Sequence, residues 1–246
     1  MQKNTVLFII IALLAGFIVG FWLANSINRS ALKAIAPQPD GPSANNLGGS
    51  TAGGPQDLSV EEIKAKIDEA DKNPTNFAYQ KDLGTALYKY ASMKNAPMLL
   101  SESVRILERA NSINGKDFDV LTALGNAHFD IGFAKKDNAE FQTARDIYTK
   151  ALEIKPADAD VQTDLGLTFF LQDPPALDKA ASTLQKVSDA NPKHERSLEF
   201  LIQTYIKQAK FAEAEKSIAK LKSVNPSSKA VPDLTSQFTN AQNGVK

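Results

Sequence analysis

A Leu-Gly pair recurs at Leu83-Gly84, Leu124-Gly125 and Leu165-Gly166, 41 residues apart each time. No other feature limits so sharply what this chain can fold into. A second marker follows each pair, an apolar stretch that runs into a turn. It reads Leu107, Ala110 and Gly115, then Tyr148, Ala151 and Pro156, then Leu184, Val187 and Pro192, and last Ile218, Leu221 and Pro226. The final two steps shorten to 36 and 34 residues. A period in this range marks a helical solenoid, in which no unit buries its apolar face without a neighbour. The chain is therefore expected to be all-α, with four helical hairpins at 76–116, 117–157, 158–193 and 194–227.

Each marker has a physical task. Glycine at the Leu-Gly step, with small residues opposite, lets two antiparallel helices approach to about 8–10 Å. Proline then ends the second helix, because it cannot donate to the preceding turn. The first two units carry seven more residues between glycine and the small residue than the usual spacing. Seven residues are close to two turns, so one extra turn in each helix would keep every contact in phase. Pro97 is expected in the first turn of a helix, where its missing N–H is harmless. Ile202 stands where the fourth glycine would be, which predicts a looser fourth hairpin.

These residues resemble the tetratricopeptide repeat family. The cleanest match is Leu165-Gly166 with Phe169, Ala180, Leu184, Val187 and Pro192. The second unit matches through Leu124-Gly125, Ala144, Tyr148, Ala151 and Pro156, and the fourth keeps Tyr205, Ala209, Ala214 and Pro226. The resemblance implies a right-handed α-solenoid whose first helices line a concave groove for a protein or peptide partner. The residues expected on that groove are Lys81, Thr85, Tyr88 and Lys89 in unit one, and Thr122, Asn126, Phe129 and Asp130 in unit two. Unit three offers Thr163, Leu167 and Phe170, and unit four Glu199, Gln203, Ile206 and Lys207. The competing reading packs Phe129, Phe170 and Ile206 between units. Clamping of a free carboxylate, known in part of the family, does not fit. Lys81 matches its pattern, but Thr85, Ala123, Asp160 and Asp164 replace the other ligands.

The flanks are read from composition. Thr5–Ala24 is twenty residues without a formal charge, long enough to cross a hydrocarbon core of about 30 Å. Lys3 precedes it, and Trp22, Arg29 and Lys33 mark its far end. We expect a signal anchor after a short tail at 1–4; the alternative is a signal peptide cleaved after Ala34-Ile35-Ala36. Ala12, Gly16, Gly20 and Ala24 form a small-residue stripe through which two spans could associate as a homodimer. The short tail favours a single-pass protein of a bacterial inner membrane with periplasmic repeats, the alternative being the cytoplasmic face. A juxtamembrane segment at 25–36 leads to 37–56, rich in proline and glycine and read as a flexible linker. Residues 57–75 read as a capping helix, opened by a Ser59/Glu62 capping box and carrying Ile63, Ile67 and Ala70 on one stripe. Residues 228–246 read as a C-terminal cap and tail, with a short helix from Pro232 to about Ala241.

Charge and chemistry narrow the function. Lysine plus arginine and aspartate plus glutamate both number 28, which gives no basic face for nucleic acid. No cysteine is present, so disulfides and thiolate metal sites are excluded. His128 takes a ring position in a helix and reads as packing, His194 as solvated. No nucleophile, metal-ligand spacing or phosphate loop is assembled, so neither an enzyme nor a cofactor is expected. The sequence reading is a membrane-tethered scaffold or adaptor for a protein partner. Alternatives are an assembly factor for c-type cytochromes and a structural, self-associating membrane protein.

Overall fold

The computed structural model describes residues 59–244, and every regular element among them is an α-helix. In order these are α1 (Val60–Lys72), α2 (Phe77–Lys94), α3 (Pro97–Ile113), α4 (Phe118–Lys135), α5 (Asn138–Ile154), α6 (Ala159–Leu171), α7 (Leu177–Ala190), α8 (Glu195–Lys207), α9 (Phe211–Val224) and α10 (Ala230–Gly244). The expected span at Thr5–Ala24, its Ala12/Gly16/Gly20/Ala24 stripe, the juxtamembrane segment and the linker lie outside the described residues. Among the described residues no helix is long and apolar enough to cross a membrane.

The four hairpins begin alike because the same local chemistry recurs. Asn76, Asp117, Asp158 and His194 each accept the backbone N–H three residues on, satisfying a donor that the helix cannot. Each cap stands eight residues before the glycine position. The N–H of each cap in turn bonds the carbonyl three residues back, at Asn73, Asn114, Lys155 and Asn191. Pro74, Pro156 and Pro192 hold the second position of these turns, where a fixed φ suits the bend; Gly115 holds it once. The prolines alone mark the helix ends in the sequence reading; the cap side chains mark the starts equally well, and that signal goes unused there.

The glycine crossings form as expected. A methyl group placed on Gly84 would fall 2.8 Å from Leu107 Cγ, on Gly125 2.6 Å from Tyr148 Cε1, and on Gly166 3.0 Å from Leu184 Cδ2. Leu107, Tyr148 and Leu184 are all fully buried. Helices α2 and α4 have 18 residues and α3 and α5 have 17, against 13 in α6 and α8 and 14 in α7 and α9. Roughly one turn has thus been added to each helix of the first two hairpins. Pro97 is the first residue of α3. The looser fourth hairpin is not seen: α8 and α9 pack as extensively as α6 and α7. Ile202 is fully buried with Leu198, Ile218, Leu221 and Leu234, while Ala214 and Ser217 on α9 supply the small side chains.

Both ends of the stack are closed. Ile63 and Ala70 of α1 bury against Leu83, Leu87 and Ile106, and the Gln80 amide donates to the carbonyls of Ala70 and Asn73 at 2.7 and 3.0 Å. Asp71 receives both Arg105 and Arg109 of the first hairpin, and the Ser59/Glu62 capping box starts the helix. At the other end α10 buries Leu234 and sets Phe238 edge-on to Phe211 at 6.0 Å. Terminal helices with polar outer faces are what a finite solenoid needs.

The crossing at Gly125 is the tightest. Gly125→Ala should destabilise the protein by about 1–3 kcal/mol, because overpacking against the Tyr148 ring outweighs the gain in helix propensity. Gly115→Ala, which meets only ordinary contacts, should change stability by less than about 0.5 kcal/mol. Urea unfolding of the two variants checks the contrast.

Candidate protein-binding groove

Successive first helices α2, α4, α6 and α8 touch one another, whereas successive second helices barely do. The stack therefore curves with its first helices inside, and they line the inner face. Counted from each cap, the residues expected on that face are the fifth, ninth, twelfth and thirteenth in units one, two and four, and the fifth, ninth and twelfth in unit three. Lys81, Thr85, Tyr88, Thr122, Asn126, Asp130, Glu199, Gln203 and Ile206 are half-buried there, and Lys89 and Lys207 are exposed.

Four of the expected groove residues are not available to a partner. Phe129 and Phe170 are 4% and 1% exposed, and Thr163 and Leu167 are fully buried. Phe129 packs edge-on to Phe141 at 5.7 Å and Phe170 edge-on to Phe200 at 6.2 Å. Thr163 Oγ1 donates to the Ala159 carbonyl. The cause is position in the stack. Tyr88 and Ile206 share the register of Phe129 and Phe170, but the latter belong to the central units and are covered from both sides.

Much of the remaining polar surface is committed to neighbours. Lys81 Nζ lies 2.9 Å from both Asp117 and Asp119 of the next unit. Burial opposes its charge, yet those two carboxylates outweigh burial and hold its pKa above the ordinary lysine value. Asp130 accepts from Ser92 Oγ at 3.0 Å. Asn126 Oδ1 accepts from the fully buried Tyr148 hydroxyl at 2.8 Å. The hydroxyls of Thr85 and Thr122 are shielded from solvent and make no hydrogen bond among the described residues.

Unit four is tied to unit three by contacts that sequence reading missed. Arg196 bonds Asp164 in a largely buried ion pair. Burial alone would lower Arg196, and the adjacent Asp164 carboxylate overcomes that and raises its pKa. His194 is not the solvated ring expected. Its Nδ1 accepts the Ser197 N–H, so Nε2 carries the proton and donates to Asp160 at 3.1 Å. Side-chain hydrogen bonding to Asp160 keeps that carboxyl below its usual range. His128 does pack inside hairpin two, with Nδ1 2.6 Å from Glu140 Oε2. A ring or acid spaced about 34 residues from its partner was the available signal, but only stacked units make that spacing a contact.

Glu199 stands apart on this face. It is half-buried and makes no hydrogen bond or ion pair among the described residues. Burial, with like charge from Glu195 one turn away, pushes its carboxyl up to about 7. Arg196 and His194 pull the other way, but both are engaged with Asp164 and Asp160. An acid whose folded pKa exceeds its unfolded value weakens the fold as pH rises through the interval, here from 4.5 to about 7. Glu199→Gln should therefore leave stability unchanged near pH 4 and raise it at pH 8 by roughly 1–3 kcal/mol. Equal shifts in Tm at both pH values would contradict this. Thr122→Val, which removes a shielded hydroxyl, should be neutral or stabilising by up to about 1 kcal/mol in the same measurement.

No family model and no curated protein matches the chain. Solved structures do resemble it. A crystal structure of MamA shares 21% identity over 67% of this chain and 87% of its own, with a TM-score of 0.55. A tetratricopeptide repeat protein of Thermus thermophilus shares 15% over 74% and 89%, with a TM-score of 0.52. Another from Parabacteroides merdae shares 18% over 74% and 65%, with a TM-score of 0.58. At these identities the likeness concerns the fold, and with the recurring caps, glycine crossings and closed ends it establishes that this chain has a tetratricopeptide-like helical repeat fold.

Proposed function

We propose that the protein is a non-enzymatic adaptor, tethered to a membrane through Thr5–Ala24, that holds a segment of a partner protein against the inner face of its first helices. One observation carries this reading above the others: an extended inner face retains a half-buried carboxyl, Glu199, that no group among the described residues satisfies. Keeping such a group is costly for folding, and perturbed acids in clefts cluster at functional sites. A lysine or arginine of the partner would supply the missing countercharge. Tyr88 and Ile206 offer half-buried apolar anchors at the two ends of the face, with Gln203 and Asn126 between them for polar contacts.

A photocrosslinker placed at Gln203 should trap a protein partner in living cells, and Glu199→Lys should reduce that product severalfold. The same group at Lys186, exposed on α7, should not trap it. Equal yields from both positions would refute the groove. For the tether, protease added to intact spheroplasts should digest the repeats where they face the periplasm. Protection until lysis would assign them to the cytoplasm.

A further inference from the structure

The extra turns in the first two hairpins push their tips out beyond those of hairpins three and four, and these tips differ in chemistry from the rest of the surface. Met93 and Met98 are 49% and 84% exposed, and only Lys94–Pro97 separates them. At the neighbouring tip α4 ends in Lys135 and Lys136, both exposed, with Lys136 in the left-handed conformation at φ 54°. The two tips are side by side: Ala91 and Leu100 pack with Ala127 and Ile131, and Ser92 donates to Asp130. Across residues 93–98 and 133–138 the single acid is Asp137, whose carboxylate caps α5 by accepting the Ala139 N–H.

The same edge receives the chain. Contacts of Gln80 with Ala70 and Asn73 place the end of α1 beside the start of α2, so α1 runs back toward the tips. Val60, 76% exposed, begins it there. Three of the five large apolar side chains that are exposed among the described residues thus occur along this edge. The other two, Ile113 and Ile154, are less exposed, at 42% and 39%, and end α3 and α5 at the opposite edge. Single exposed methionines are ordinary; apolar tips beside Lys135 and Lys136, which form no ion pair among the described residues, presented on one projecting ridge, fit a particular kind of surface.

We propose that this ridge rests on an anionic phospholipid surface, with Met93 and Met98 entering the headgroup boundary and Lys135 and Lys136 meeting lipid phosphates. Flexible thioethers suit an irregular, fluid boundary. Lysines next to an inserted apolar tip draw on the negative potential of the bilayer, an attraction that extends about one Debye length. Neither contact is strong alone, and a soluble domain would show little affinity from two methionines. A chain already tied to the bilayer gains from effective concentration, which makes so small a patch sufficient. The inference is independent of the groove, and it draws on the tether only for that concentration.

The chain has no cysteine, so Met98→Cys carries one environment-sensitive fluorophore. The full chain would be reconstituted into vesicles of phosphatidylcholine, with or without phosphatidylglycerol, and compared with Glu153→Cys at the opposite edge. The expected result is a blue-shifted emission at position 98 that doxyl-labelled lipid quenches, in the phosphatidylglycerol vesicles only. Lys135→Glu with Lys136→Glu should lower that bound fraction about tenfold. A probe at 98 that stays in water in both compositions, or that matches the probe at 153, overturns the proposal. A shift that needs no lipid and grows with protein concentration also overturns it and assigns the ridge to a protein contact. Failure of the tether is read separately, as chain that does not float with the vesicles.

Discussion

Close approach of two backbones at Gly84, Gly125 and Gly166 is the contact on which the rest of this structure depends. A methyl group on any of these glycines would come within 2.6–3.0 Å of the buried Leu107, Tyr148 or Leu184 opposite it. The two helices of a hairpin are thereby locked at one crossing point. With the crossing repeated at equal steps, each hairpin presents the same apolar flank to the next, and the units stack. Curvature follows because the first helices contact their successors more closely than the second helices do, and curvature gives the inner face.

Polar contacts between units then refine what packing has set. Lys81 with Asp117 and Asp119, Ser92 with Asp130, His194 with Asp160 and Arg196 with Asp164 each join one first helix to the following one. The exposed members of this series are worth little individually. The buried Arg196–Asp164 pair is different: its net contribution is modest, but loss of either partner would leave a buried charge unpaired. Such pairs fix the rotation of one unit on another, and in doing so they use up charge that the inner face would otherwise present. What remains accessible is sparse and concentrated at the ends, around Lys89 in unit one and Glu199, Gln203 and Lys207 in unit four.

Length of the hairpins and chemistry of their tips are coupled in a similar way. One added turn per helix leaves the glycine crossings undisturbed, since a whole turn preserves which face points inward. It changes only the projecting edge, and that edge is where methionines and lysines gather. The solenoid can thus vary an outer surface without altering its core, because each unit contacts only its neighbours.

The crossing glycines, Pro97 at a helix start, the two longer hairpins and the cap at Ser59 were all legible along the chain. These depend on residues within one helix or one hairpin, where a period of 3.6 and the chemistry of caps and prolines act locally. Groove exposure was legible only in part. Of the residues expected on one face of each first helix, Phe129, Thr163, Leu167 and Phe170 are buried while Tyr88, Glu199, Gln203 and Ile206 at matching positions are not. The difference comes from how many neighbours flank a unit and how each is rotated on the next. That rotation is decided by contacts between residues 32 to 38 positions apart, such as Arg196 with Asp164, and only the assembled stack brings them together.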